Sequence, residues 1–374
     1  MDIAALPTPA VLVDKRKLLA NIEKMQRAAT AAGIRLRPHA KTHKSVVIAQ
    51  RQIDAGAVGI TVATVGEAEV FANHGIQNIR IAYPLPVSVA ERIIALMSKT
   101  HISIVVDNAT IAEHWSDLMV NARHRLDVLV KVDVGFHRCG INLGLQEAVS
   151  FISKIAQLPG LQLCGLLSHA GQAYDASTVK GIQTIARQEA NTLRELAAEA
   201  KTAGTSVQEI SVGSTPTAQF SLEENQITEV RPGNYVFLDL TQIALQSASI
   251  GSCALTVLST IVSRPSPERL VLDAGSKTLS SDHARGTDAN PGFGAILQTN
   301  SGKDINPHLL IERLSEEHAV VSVTGCDNSL DVGQRVRLIP NHACVVTNLA
   351  DYVHFVDGES LIETVRVDAR GKSY

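Results

Sequence analysis

Over its first two thirds the chain alternates two hydrophobic periods. Short apolar runs recur at 34–41, 59–64 (GITVAT), 78–83 (NIRIAY), 102–107 (ISIVVD), 127–135 (DVLVKVDVG), 163–171 (LCGLLSHAG), 209–213 (EISVG) and 229–239 (EVRPGNYVFLD). Their length and β-branched content predict strands. Between them lie segments rich in Ala, Glu, Lys and Leu with helical spacing, such as 179–203. An earlier helix is predicted by Leu18, Leu19, Ile22 and Met25, with Gly33 closing it. Eight β-then-α units in about 210 residues fit a (β/α)8 TIM-type barrel better than an open doubly wound sheet.

From about residue 246 the texture changes. The runs ALTVLSTIVSR, RLVLDAG, AVVSVTG, RVRLIPN, ACVVTNL, YVHFVDG and LIETVRV are separated by Gly, Asp and Asn, with no long helical pattern between them. They predict a second, mainly antiparallel β domain. The expected division is 1–245 for the barrel and 246–374 for the β-rich domain. Within the latter, 280–294 (SSDHARGTDANPGFG) is polar and Gly-rich, and is expected as an exposed loop with a potential functional role.

Composition narrows the function classes. A net charge of −3 and 3% aromatic residues offer neither a basic stripe nor a stacking platform for nucleic acid. No apolar run approaches the ~20 residues of a membrane span, and the N-terminus lacks the basic and apolar regions of a signal peptide. Five scattered cysteines, at 139, 164, 253, 326 and 344, do not form a disulfide framework. A reducing cytoplasm is therefore expected, with all but Cys344 as buried small apolar groups. Thirteen histidines point to polar chemistry without locating it.

In a barrel the chemistry sits at the C-terminal strand ends. Read in turn, those ends are HAKTHK (39–44), VGFHRCG (134–140), SHAGQAY (168–174), GSTPT (213–217) and RPGNY (231–235). Polar and small residues gather there while the strand bodies stay apolar. A desolvated lysine suits imine chemistry. Gly-Ser-Thr and Pro-Gly-Asn turns offer N–H and hydroxyl donors to a phosphate. Arginine can bond a phenolate or ring nitrogen, and histidine or tyrosine can lie against an aromatic ring. Lysine, phosphate cup and ring-binding groups together suggest pyridoxal 5′-phosphate (PLP). The residues alone do not choose among Lys41, His43 and Lys44, and Arg138 could equally pair with Asp133.

RPHAKTHK, DVGFHRCGI, SHAGQAYD, GSTPT and EVRPGNY, in this order, resemble the alanine-racemase-like PLP enzymes. More narrowly, they resemble the D-serine dehydratase / D-threonine aldolase family. DAGSK (273–277), SEEH (315–318) and PNHAC (340–344) also fit, so the resemblance runs from about Thr8 onward. It implies the same two domains and a homodimer. By position, it implies that Lys41 forms the internal aldimine and that Arg138 approaches the cofactor's O3′. His169 would pack on the pyridine ring with Tyr174 close by, and Arg231 would face the ring nitrogen. Ser214, Thr215, Gly233 and Asn234 would hold the phosphate.

His342 and Cys344 form a second constellation. Read as a strand, the i and i+2 positions put imidazole and thiolate on one face, and soft sulfur favours Zn²⁺. Spacing alone does not separate a metal pair from two packed side chains; the resemblance implies a divalent metal, zinc. The expected activity is a PLP- and metal-dependent lyase acting on a small D-β-hydroxy amino acid, foremost D-serine dehydratase. D-threonine aldolase is the alternative. A racemase would need a second base such as Tyr352 or Tyr374, and a non-catalytic PLP carrier would not need the β domain. Lys277 and His283 are candidates to reach a partner subunit's site, without a catalytic role.

Overall fold

The computed structural model describes residues 2–286, 289–298, 304–324 and 330–374, so Cys326 lies outside the described residues. The first strand, β1 (Ala10–Asp14), precedes the barrel. The barrel strands are β2 (Arg35–Leu36), β3 (Ile60–Val62), β4 (Asn78–Pro84), β5 (His101–Val106), β6 (Leu126–Lys131), β7 (Leu161–Leu167), β8 (Glu209–Val212) and β9 (Glu229–Val230). All eight expected apolar runs thus contribute a strand. The neighbours are parallel in the order β2-β9-β8-β7-β6-β5-β4-β3. A parallel bridge between His39 and Thr61 brings the two edges together. Helices such as Lys15–Ala31 and Val179–Thr202 turn Leu18, Ile22, Leu193 and Ala200 into the core and leave their charged faces outside.

The barrel interior is not wholly apolar. The fully buried Glu229 takes Arg37 Nε at 2.7 Å and Ser211 Oγ at 2.6 Å, and a close bond from Arg80 Nη1. Arg80 Nη2 also reaches Glu209 at 2.8 Å. Burial alone would raise the Glu229 carboxyl, but the charges of Arg37 and Arg80, with the bond from Ser211, outweigh it and hold it at about 2.

The second sheet is built on the strand β10 (Leu255–Ser266), which pairs antiparallel with Arg269–Leu272 and Arg335–Ile339. It also pairs antiparallel with β1, which in turn pairs parallel with Tyr352–Asp357. The division at 245 is therefore crossed by β1, which belongs to the β sheet although it precedes the barrel. The chain crosses again near its end, where Ala369 N donates to Lys44 O (2.9 Å) and Gly66 N to Tyr374 O (2.7 Å).

The expectation of a strand through His342 and Cys344 is corrected. Residues Ala343–Leu349 form a helix with His342 at its N-cap. Ala343, Val346 and Thr347 are the buried positions, a spacing of three and four, and seven residues are too few for the period to be read from sequence. The long strand expected at 229–239 is also short: Pro232 ends it, and Asn234–Val236 form a 3-10 turn. Cys253 is buried as expected, but Cys139 and Cys164 are partly exposed; these three and Cys344 are free. Among the described residues, no helix is long and apolar enough to cross a membrane.

Candidate active site

The eleven candidate residues line one cavity of roughly 780 Å³ at the C-terminal mouth of the barrel. The second domain closes one wall of it with Asp282, His283, Arg285, His342 and Cys344.

Lys41 sits in a 3-10 turn, Ala40–Thr42, that follows β2 and is capped by His39. Its side chain is accessible, yet what it faces is the cavity. Burial pushes its amine down, the charge of Cys344 opposes this, and Arg138 adds to the lowering. The neighbouring candidates are occupied. Lys44 Nζ is held by Glu67 (3.2 Å) and Asn348 (2.7 Å), and the buried His43 bonds Gln52 (3.1 Å) and Ser45 N (3.1 Å). Among the described residues, the Lys41 amine has no hydrogen-bond or ion-pair partner.

Around it lie the ring-binding candidates. Arg138 lies over the Phe136 ring at 4.8 Å, and Phe136 meets His169 edge-on at 5.9 Å. Asp133 does not pair with Arg138; its carboxylate accepts the N–H groups of Gly135, Phe136 and His137. Burial, then the charges of Lys41 and Lys131, hold the His169 imidazole well below its ordinary value. Arg231 donates to Ser211 Oγ (2.6 Å) and to the Ser168 carbonyl; burial brings it down to about 10 despite Glu229 and Glu189. Tyr174 lies under Arg285, whose guanidinium is 5.4 Å from the ring centre and is paired to Asp175.

The phosphate candidates form a compact cradle. Gly213 takes φ +98, which permits the turn after β8. Ser214 N donates to Thr217 Oγ1 (2.8 Å), and Tyr235 N to Thr215 Oγ1 (3.2 Å). A Cβ on Gly233 would lie 2.8 Å from Thr42 Oγ1 and 3.0 Å from the His39 carbonyl, so only glycine lets the two turns approach. The Asn234 side chain turns elsewhere: its Nδ2 donates to Asp239 (2.6 Å) and to Cys344 Sγ (3.7 Å), and its buried Oδ1 has no partner.

His342 and Cys344 meet at the helix start. Burial alone would lower the imidazole and raise the thiol. Their mutual hydrogen bond and charge outweigh burial, pushing His342 up to about 10 and Cys344 down. His342 Nδ1 is 2.7 Å from Asp282 Oδ2. Among the described residues, no group of three His, Cys, Asp or Glu side chains forms a closed metal site. A nitrogen and a sulfur donor with open positions fit a divalent metal. The cavity volume, the hydroxyl and cationic donors and the Gly233 approach fit PLP.

Several cavity residues were missed in the sequence. Lys131, buried at the end of β6, is pushed down to about 8 by burial, with Arg231 and Arg138 adding to the lowering. A lysine inside the apolar run DVLVKVD was a usable signal. Asp239 and Asp282 gave none, because only the tertiary fold brings them to residues 342–344. His283 faces this subunit's own cavity and lies tilted against Phe293 at 4.8 Å, whereas Lys277 is exposed and paired with Glu316 and Glu317.

Residues 13–241 match the family "Alanine racemase, N-terminal domain" and residues 254–356 match "Putative serine dehydratase domain". Two characterised relatives span nearly the whole chain. The D-threonine aldolase of Arthrobacter sp. is 32% identical, over 99% of this chain and 94% of its own. The D-threo-3-hydroxyaspartate dehydratase of Delftia sp. (strain HT23) is 31% identical, over 91% and 92%. The solved structure of the Delftia enzyme superposes with a TM-score of 0.91 at 28% identity, over 98% of each chain. One of its cysteine-to-alanine mutants has been solved in a metal-free form. The chain belongs to the D-serine dehydratase / D-threonine aldolase family of alanine-racemase-like, fold-type III PLP enzymes, and with them it is a PLP-dependent lyase.

Proposed function

We propose that the chain removes water from D-serine or a similar small D-β-hydroxy amino acid, yielding the 2-oxo acid and ammonia, with PLP at Lys41 and zinc at His342 and Cys344. The observation that carries this reading is the shared cavity: an unpartnered lysine amine and the His342–Cys344 pair open into the same space. When bound, PLP supplies an electron sink and the metal a Lewis acid for the β-hydroxyl.

The chain's own residues do the rest. Lys41 holds the cofactor's aldehyde and, kept less basic by burial, accepts the α-proton of the substrate. Ser214 and Thr215, with the backbone of Gly233 and Asn234, hold the phosphate. Arg138 would hold the phenolic oxygen, His169 would support the ring with Tyr174 beside it, and Arg231 would face the ring nitrogen. His342 and Cys344 would hold the metal, which would supply Lewis acidity to the β-hydroxyl. The dehydratase reading rests on Cys344 and on relatives such as the D-serine dehydratase of Dictyostelium discoideum, 28% identical over 96% of both chains. Tyr352 and Tyr374 do not line this subunit's cavity. The active form is a homodimer in the cytoplasm.

The Arthrobacter relative favours a second reading, cleavage of the Cα–Cβ bond to glycine and an aldehyde by the same residues. Incubation with D-serine and D-threonine separately distinguishes the two. Pyruvate and 2-oxobutyrate are expected. Glycine and acetaldehyde from D-threonine, with no oxo acid from either substrate, reject the dehydratase.

A further inference from the structure

Three residues outside the metal pair bond to it directly: Asp282 from the second domain, and Thr42 and Asn234 from the barrel. Asp282 Oδ2 lies 2.7 Å from His342 Nδ1, and both side chains are about half exposed (48% and 41%). The loop carrying Asp282 is fixed: Asn341 Nδ2 donates to the Asp282 carbonyl (2.9 Å), and Arg285 N donates to Thr241 Oγ1 (3.2 Å). From the barrel side, Cys344 Sγ is hydrogen-bonded to the hydroxyl of the fully buried Thr42 at 3.4 Å, the thiol donating to Oγ1. Thr42 directly follows Lys41 in the same 3-10 turn.

These bonds have a common physical consequence. An imidazole tied to a carboxylate through Nδ1 has a fixed ring orientation and tautomer, which leaves Nε2 for a metal. A cysteine sulfur hydrogen-bonded to a buried hydroxyl is held in one rotamer. Two ligands alone leave a metal weakly bound unless both are pre-oriented, because ordering each side chain costs rotamer entropy.

We propose that Asp282 and Thr42 act as positioning residues of the metal site, Asp282 by turning His342 Nε2 toward the metal and Thr42 by holding the Cys344 sulfur against the turn that carries Lys41. The metal is thereby set by both domains, and its place is fixed relative to the cofactor lysine by a single peptide unit. This rests on the metal reading given under the proposed function.

The test is cobalt affinity in the PLP-loaded, metal-stripped protein, titrated with Co²⁺ and followed by thiolate-to-cobalt absorption. D282N and T42V keep the side-chain shape and should weaken Co²⁺ binding about 10–100-fold. T42S should restore it, and the PLP absorbance should stay at the wild-type level in all three. Wild-type Co²⁺ affinity in D282N and T42V overturns the inference and leaves the proposed function standing. A T42S variant as weak as T42V overturns the role of the hydroxyl. A wild-type protein that takes up no Co²⁺ overturns both the inference and the metal reading.

Discussion

Replacing Gly233 by alanine tests whether the approach of two barrel turns shapes the cofactor cradle. The residue has φ −121 and ψ −56, so alanine meets no left-handed strain and the cost is purely one of contact. The new methyl would lie 2.8 Å from Thr42 Oγ1, 3.0 Å from the His39 carbonyl oxygen and 3.1 Å from His39 Cβ. Neither neighbour yields easily. His39 N is bonded to the Pro232 carbonyl (3.0 Å), and Thr42 is fully buried with its hydroxyl on Cys344. Relief therefore comes from moving residues 232–234 into the cavity. Overpacking of this kind costs about 1–3 kcal/mol. At ~1.4 kcal/mol per decade, PLP should bind about 5- to 150-fold more weakly. The assay is absorbance titration of the apoprotein with PLP. Gly144→Ala is the control, since its nearest contact is 3.7 Å away at Glu147 and its φ is −56. A Gly233→Ala protein that binds PLP within twofold of wild type refutes the placement of the cradle.

The barrel's ionic centre gives a stability prediction. Glu229→Gln removes the charge that compensates Arg37 and Arg80 and should cost about 3–5 kcal/mol in urea denaturation; a loss under about 1 kcal/mol would contradict it. Because the folded Glu229 carboxyl is held at about 2, below its ordinary value of 4.5, its contribution is complete above pH 4.5. It should fade as the pH falls from there toward 2, and a wild-type stability that is flat across this window counts against the network. Lys41→Ala should abolish the visible band of lysine-held PLP. Lys44→Ala should keep it, because that amine is already committed to Glu67 and Asn348; the reverse pattern would move the cofactor to Lys44.

Much of the architecture was legible along the chain. The eight apolar runs became eight barrel strands because burial on both faces demands continuous Val, Ile and Leu, a signal that survives in a single sequence. The polar strand ends were readable for the same reason: a strand that must bury its body has no cause to end in His, Lys, Arg or Ser unless its end opens into a site. His342 and Cys344 stood out by residue type, although their local structure was misjudged.

Residue types at the barrel mouth, and their order, could be read directly along the chain. The sequence could not decide which of three adjacent cationic or titratable side chains, Lys41, His43 or Lys44, would be left unpaired, since Glu67, Gln52 and Asn348 are distant or weakly marked partners. Nor could it bring Asp282 to His342 across 60 residues or Thr42 to Cys344 across 302. Such contacts depend on how two domains close over one cavity. Local periodicity reports the burial of a segment's own face, whereas side-chain pairing depends on distances that only the packed chain sets.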